Sequence, residues 1–256
     1  MRELSEQEKV RREKLEEIKN ICDSINEQVK KLNTKKFRDL EDKFIVEGEH
    51  LVKEAFLSKH LLFTISLEDY ESPYLIDNKY VTERVMNYIS ELETPQPVIG
   101  ICKKTSSNII GERVLILDGI QDPGNLGTII RSAVAFNIDT ILLSKDTVDL
   151  YNSKVIRASQ GMIFYINIMS VNLYDTLDDL IKGGYRIIGT KVDNGKDIKE
   201  MSKATPFALI MGNEGNGVRI DILEKCNEFA HIVMKDDCES LNVAVATSII
   251  LYELSK

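Results

Sequence analysis

Residues 113–136 read RVLILDGIQDPGNLGTIIRSAVAF. The apolar run RVLILDG predicts a buried strand, and TIIRSAVAF predicts a helix. Between them, Pro123-Gly124 signals a turn and Asn125 is placed to cap the helix, with Arg131 in its second turn. A Gly-containing loop between strand and helix is the usual setting for a phosphate cradle. This one carries neither G-x-G-x-x-G nor G-x-x-x-x-G-K-[ST], which argues against a dinucleotide or P-loop site. By itself the stretch reads equally well as a capped helix with a surface arginine.

Working outward, the C-terminal half continues as α/β. TILLS, YINIM, RIIGTKV, FALIMG and EFAHIVM predict strands, and YDTLDDLIKGG, DILEKC and SLNVAVATSIILYELSK predict helices. That alternation implies a mostly parallel sheet covered on both faces. Toward the N-terminus, residues 105–112 are polar and read as a linker, separating a domain at 113–256 from a smaller one at 20–104. The smaller domain alternates too, from FIVEG and EHLVKEAFL through LLFTIS to VIGICKK. Residues 1–33 lack Gly and Pro, and Leu15, Ile18, Cys22, Ile25, Val29 and Leu32 form one apolar helix stripe; residues 1–19 are a charged helical extension.

Bulk properties narrow the function. Across 256 residues the net charge is −8, so indiscriminate nucleic-acid binding is not expected. KKLNTKKFR, residues 30–38, is the one strongly basic stretch. Four scattered cysteines without a C-x-x-C pair, and three histidines, point to reduced thiols and no metal centre. No apolar run approaches a membrane span and the charged start is no signal peptide, so a cytoplasmic location is expected.

Two later loops share the strand–polar loop–helix plan. IMGNEGNGV (210–218) has three glycines that allow close backbone approach and exposed amides, with Glu214 suited to a cation or hydroxyl rather than a phosphate. In HIVMKDDCESLNVAVATSIILYEL, Ser240 is a natural N-cap for the last helix and Asn242 falls in its first turn. No histidine is placed in sequence to activate Ser240 as a nucleophile.

Taken together, LDGIQDPGNLGTIIRSA, LIMGNEGNGV and IVMKDDCESLNVAVATSIILYE resemble the three motifs of the SpoU/TrmH branch of the SPOUT methyltransferases, in order and spacing. Upstream, INEQVKKLNTKKFRDLEDKFIVEGEHLVKEA and ELETPQPVIGIC resemble the L30e-like RNA substrate-binding domain of that family's ribosomal RNA enzymes. The match departs at Ile232-Val233-Met234, where the family usually has Ile-Pro-Met, and at Lys235-Asp236-Asp237, where a Gly commonly follows.

The resemblance implies a C-terminal α/β domain with a trefoil knot, S-adenosylmethionine as cofactor, and 2′-O-methylation of ribose in RNA, ribosomal rather than transfer RNA. Cofactor positions carry over to Thr190, Gly212, Asn213, Gly215, Ile232, Met234, Ser240 and Leu241. Catalytic positions carry over to Arg131 (electrostatic stabilisation), Asn125 (ribose or phosphate orientation), Glu214 (holding Arg131 or the ribose), Ser240 and Asn242. Lys35, Lys36 and Arg38 become phosphate contacts. A homodimer through the C-terminal domain is implied, with Arg131 serving the partner's cofactor. A transfer RNA enzyme, an antibiotic-resistance methyltransferase and a non-catalytic RNA-binding relative stay open as alternatives.

Overall fold

The computed structural model describes residues 27–105, 107–191, 195–235 and 237–256. The chain divides into two compact units, one ending at Lys104 and the other running from Thr105 to Lys256.

In the first unit four strands, β1 (Lys43–Glu47), β2 (Leu61–Leu67), β3 (Asn78–Val81) and β4 (Val98–Lys103), form a sheet in the order β1-β4-β2-β3. Helices α1 (Lys35–Glu41), α2 (Glu49–Leu57) and α3 (Glu83–Ile89) accompany it. The N-terminal stripe enters this unit by its last two members: Val29 and Leu32 are buried with Ile65, Met86, Ile89, Ile99 and Ile101. Residues 27–32 are helical; the rest of the expected helix, the extension at 1–19 included, lies outside the described residues.

Among the described residues the second unit holds seven strands: β5 (Arg113–Asp118), β6 (Thr140–Leu143), β7 (Asn167–Ser170), β8 (Arg186–Thr190), β9 (Lys196–Asp197), β10 (Phe207–Gly212) and β11 (Glu228–His231). Their order is β7-β6-β5-β10-β8-β11-β9 and every pairing is parallel. β6 and β10 are buried at every position and β5 at all but its first, which is why they read as unbroken apolar runs. Helices are α4 (Pro123–Ala135), α5 (Ser153–Ser159), α6 (Leu173–Lys182), α7 (Ile220–Leu223) and α8 (Val243–Ser255). α4 presses against α5 so closely that a Cβ at Gly127 would lie 2.4 Å from the Ala158 Cβ.

From β5 the chain steps outward to β6 and β7, then crosses back, and β10 pairs directly with β5. Such a reversal opens a crevice at the strands' carboxyl ends. Some details differ from expectation. β11 stops at His231 instead of running through Met234, and α5 and β9 had no signal in the sequence pattern. Seven residues capped by Asn152, and a two-residue strand, are too short to show periodicity.

Candidate active site

The three motif loops converge at the carboxyl end of the second unit's sheet. In the first, Asp122 rather than Asn125 is the N-cap: its Oδ1 accepts from the Asn125 amide at 2.8 Å, with Pro123 in the first turn. Proline needs no amide partner at the first helical position, so the helix starts three residues earlier than the Asn reading implies. The Asn125 side chain is thereby free to act elsewhere. Its Nδ2 donates to Glu214 Oε1 at 3.0 Å and its Oδ1 accepts from Asn242 Nδ2 at 2.9 Å. Asn242, not Ser240, caps the last helix, accepting from the amides of Ala244 and Val245 at 2.9 and 3.3 Å.

Glu214 also accepts from the amides of Gln121 and Asp122 at 3.2 and 3.1 Å. Partial burial pushes its carboxyl up, but the Asn125 amide and the surrounding backbone amides outweigh that, so it is held below its ordinary range and stays ionised. Within this chain no hydrogen bond or ion pair joins it to Arg131 among the described residues. That residue stands exposed on α4 with no ion pair or hydrogen bond from its guanidinium among the described residues. The carboxylate's lone pairs are already committed to the start of α4.

The second loop is braced from within. A Cβ at Gly212 would lie 2.1 Å from the Gly217 carbonyl carbon, so only glycine fits. Asn213 and Gly217 exchange backbone hydrogen bonds of 2.9 and 3.0 Å. Asn213 Oδ1 accepts from the amides of Gly215 and Asn216 at 2.9 and 3.1 Å, and its Nδ2 reaches the Gly119 carbonyl at 2.7 Å. The expected exposed amides of Gly215 and Gly217 are thus spent inside the loop. Past it, buried Asp118 accepts from the Arg219 amide at 2.9 Å and pairs with Arg219 Nη2 at 2.8 Å. Sequence reasoning missed both residues; an acid ending an apolar strand was the only available signal.

A cavity of about 420 Å³ opens between these loops, lined by Thr190, Gly212, Asn213, Gly215, Ile232, Met234, Ser240 and Leu241, together with Glu214 and Asn242. Lys191, Met211, His231 and Ile250 line it as well and were not anticipated. Arg131 and Asn125 are not part of its wall. The volume lies within the range of small-molecule sites, and apolar Met211, Ile232, Leu241 and Ile250 beside backbone and hydroxyl groups suit a ligand that is partly apolar and partly polar. The His231 Nδ1 is buried with no hydrogen-bond partner. A larger hollow of about 720 Å³ sits among Ile109, Glu112, Arg113, Asp139 and Asn167, but at the amino ends of β5, β6 and β7, away from the motif loops.

Of the basic residues in the first unit, Lys35 and Lys36 are exposed. Arg38 is buried, its Nη1 donating to the Leu32 carbonyl at 2.8 Å. It ties α1 to the end of the preceding helix and is withdrawn from the expected phosphate-facing set. Among the described residues no cluster of His, Cys, Asp and Glu could hold a metal ion, and no helix is long and apolar enough to cross a membrane.

Residues 112–252 match the SpoU rRNA Methylase family, and residues 26–100 match the MRM3-like substrate binding domain. The chain is 38% identical over 247 residues to the 23S rRNA (guanosine(2553)-2′-O)-methyltransferase RlmP of Bacillus subtilis, covering 93% of this chain and 99% of that protein. The AdoMet-bound rRNA methyltransferase from Sinorhizobium meliloti superposes with a TM-score of 0.78 at 29% identity, over 90% of this chain and 93% of that one. The SpoU methyltransferase AviRb from Streptomyces viridochromogenes shares the fold, with a TM-score of 0.80 at 22% identity over 90% and 96% of the two chains.

Proposed function

The chain belongs to the SpoU rRNA methylase family, and from that premise we propose that its substrate is a ribose 2′-hydroxyl in the ribosomal RNA of the large subunit. It is an S-adenosylmethionine-dependent RNA methyltransferase. The observation that carries the residue assignment is the single cavity that gathers Thr190, Gly212, Asn213, Gly215, Ile232, Met234, Ser240 and Leu241 beside the Asn125–Glu214–Asn242 hydrogen-bonded group.

In this reading those cavity residues hold the cofactor, which supplies an electrophilic methyl on a sulfonium when bound. The ribose oxygen would gain that methyl as the methyl–sulfur bond breaks, the electron pair staying with the departing thioether and the hydroxyl proton passing to solvent. The chain's own task is to align the hydroxyl and stabilise charge on its oxygen. Alignment alone can contribute about 7–11 kcal/mol. Ionised Glu214 fixes the Asn125 amide and the start of α4, and Asn125 fixes Asn242, so the three act as one rigid template for the ribose. Ser240 lies beside them on the cavity wall. The Arg131 guanidinium stabilises the developing alkoxide.

Arg131 is absent from its own chain's cavity wall, which supports completion of the site by a second copy. α8 exposes Val245, Ile249 and Tyr252 at 47, 36 and 50%, an apolar stripe at helical spacing. Ser132 and Ser248 pack at 2.7 Å, setting that stripe beside the face of α4 that carries Arg131. We assign this surface to the homodimer, and assign the trefoil knot to the segment carrying Ser240–Asn242. The enzyme then works in the cytoplasm, where ribosomal RNA is found, and Lys35 and Lys36 meet RNA phosphate.

The replacement of Pro by Val233 does not disturb the cavity, since Val233 is 64% exposed while Ile232 and Met234 line the wall. The test is a map of 2′-O-methylation across ribosomal and transfer RNA with and without the gene, repeated with Arg131→Ala. One ribosomal site should vanish in both strains, while the purified variant still binds S-adenosylmethionine as a dimer. A site lost from transfer RNA alone, or turnover retained by the variant, sinks the proposal.

A further inference from the structure

Folding changes the basic stretch of the first unit. It withdraws Arg38 and leaves Lys30, Lys35 and Lys36 at the surface. What it adds is an aromatic ring. α3 presents Arg84 and Tyr88 one turn apart and both exposed, Tyr88 at 58%. Lys30, from the helix packed beside it, places its Nζ 4.3 Å from the Tyr88 ring centroid.

Among the described residues lysines stand over exposed tyrosines twice more, but there they are committed. Lys225 over Tyr174 is ion-paired with Asp178, and Lys256 over Tyr252 is paired with Glu253 at 2.8 Å. Neither Lys30 nor Arg84 has a carboxylate partner among the described residues; the nearby Glu27 is taken by Lys31. An exposed ring between two uncompensated cations, in a chain of net charge −8, is a local surface suited to an aromatic polyanion.

We propose that Tyr88, with Lys30 and Arg84, is a platform on which an unpaired base of the RNA substrate stacks, the two cations taking the flanking phosphates. With Lys30 against one side of the ring, the base takes the surface left exposed. A duplex offers no free base face, so the platform selects a single-stranded nucleotide and leaves sequence unread. The inference rests on the reading that RNA is the substrate and adds which part of it the first unit holds.

The test measures binding of the full-length protein to a fluorescein-labelled oligouridylate and to a fully paired RNA hairpin, by anisotropy over a salt series. Tyr88→Ala should weaken oligouridylate binding about 5- to 100-fold, with the salt slope and hairpin binding unchanged, while Tyr88→Phe binds like wild type. Lys30→Ala and Arg84→Ala should each flatten the slope of log K against log salt by about 0.7. Tyr88→Leu, which keeps apolar bulk without the ring, covers the case in which alanine disturbs α3, and it must lose the oligouridylate as well. Unchanged binding by Tyr88→Ala, or equal loss of both probes by Tyr88→Leu, overturns the platform. If wild type methylates ribosomal RNA and Tyr88→Ala does so with an unchanged KM for RNA, the platform fails and the enzyme reading stands. Absence of methylation by wild type refutes that reading, and the binding comparison still decides the platform.

Discussion

The two walls of the cavity are built on opposite plans. On one side, residues 212–219 satisfy themselves: Asn213 binds Gly215, Asn216, Gly217 and Gly119, and Asp118 holds Arg219. On the other, the described residues of 232–235 and 237–241 make few hydrogen bonds among themselves. Cys238 donates its amide to the Lys235 carbonyl at 2.9 Å and its thiol to the Ser240 carbonyl at 3.5 Å, and Lys235 pairs with Asp237. The amides of Ile232, Met234 and Leu241 make no hydrogen bond to another described residue. One wall is therefore preformed at the expense of folding, and in the proposed reading the polar groups of the other are available to a ligand. Preorganisation on one side lowers the ordering cost of binding, and reserve on the other supplies its specificity.

The strongest way to break this contrast is Gly212→Ala. A methyl 2.1 Å from a backbone carbon cannot be absorbed by a side-chain rotation, so the brace itself must open. Calorimetry should show S-adenosylmethionine affinity reduced by more than about a hundredfold, and the melting transition should fall by several degrees, as expected for roughly 2–3 kcal/mol of strain. Retained affinity would mean that the second loop is as adaptable as the third. Asp118→Asn is the next step down. It keeps an acceptor for the Arg219 amide but loses the ion pair with a half-exposed guanidinium, a change of about 1 kcal/mol after solvent screening. Cofactor affinity should drop about threefold to tenfold, with kcat at saturation nearly unchanged. A fall confined to kcat would place Asp118 in the chemistry rather than in the brace.

These same features show what the sequence could reveal. β5 and β10 are legible because both faces are covered, which leaves continuous apolar runs, and the loops that follow them announce themselves through Gly and Asn. Helix caps were misplaced by two or three residues at both ends of the site. Asp122 and Asn125, or Ser240 and Asn242, are each chemically able to cap, and only the packed helix decides between them. Arg38 looked like its lysine neighbours in composition, yet six residues away the Leu32 carbonyl at a helix end needed a donor. Pairs such as Asp118 with Arg219, or Asn125 with Glu214 and Asn242, join residues roughly a hundred positions apart, and no local pattern encodes them.

A milder probe uses pH. The Glu214 carboxyl is held below its ordinary value of 4.5 by the Asn125 and backbone amides that outweigh its burial. A depressed folded-state value contributes stability above the unfolded value and loses it as pH falls through the lowered one. From about pH 5 upward, therefore, Glu214 should give no inflection in cofactor affinity or melting temperature. Glu214→Gln should flatten the acid limb that wild type shows below its ordinary value. It should also cost a few-fold in kcat, because an amide cannot accept from all its present donors at once. An inflection near neutrality that disappears in Glu214→Gln would show a carboxyl whose pKa is raised, contrary to this environment.

The smallest effect is expected on the open wall itself, at Val233→Pro. The side chain is 64% exposed, its φ is not positive, and its amide has no hydrogen-bond partner among the described residues, so the ring breaks no hydrogen bond to a described residue. Fixing φ in the unfolded chain should stabilise the protein by about 0.4–1 kcal/mol and leave S-adenosylmethionine affinity within about threefold. If affinity instead rises tenfold or more, stiffness of the third loop limits binding, and the asymmetry between the walls is a weakness of this chain. If affinity holds while the melting point rises, the loop's freedom is compatible with tight binding. In the proposed reading, the amides of Ile232, Met234 and Leu241, without a partner among the described residues, then act in recognition by their chemistry rather than by their rigidity.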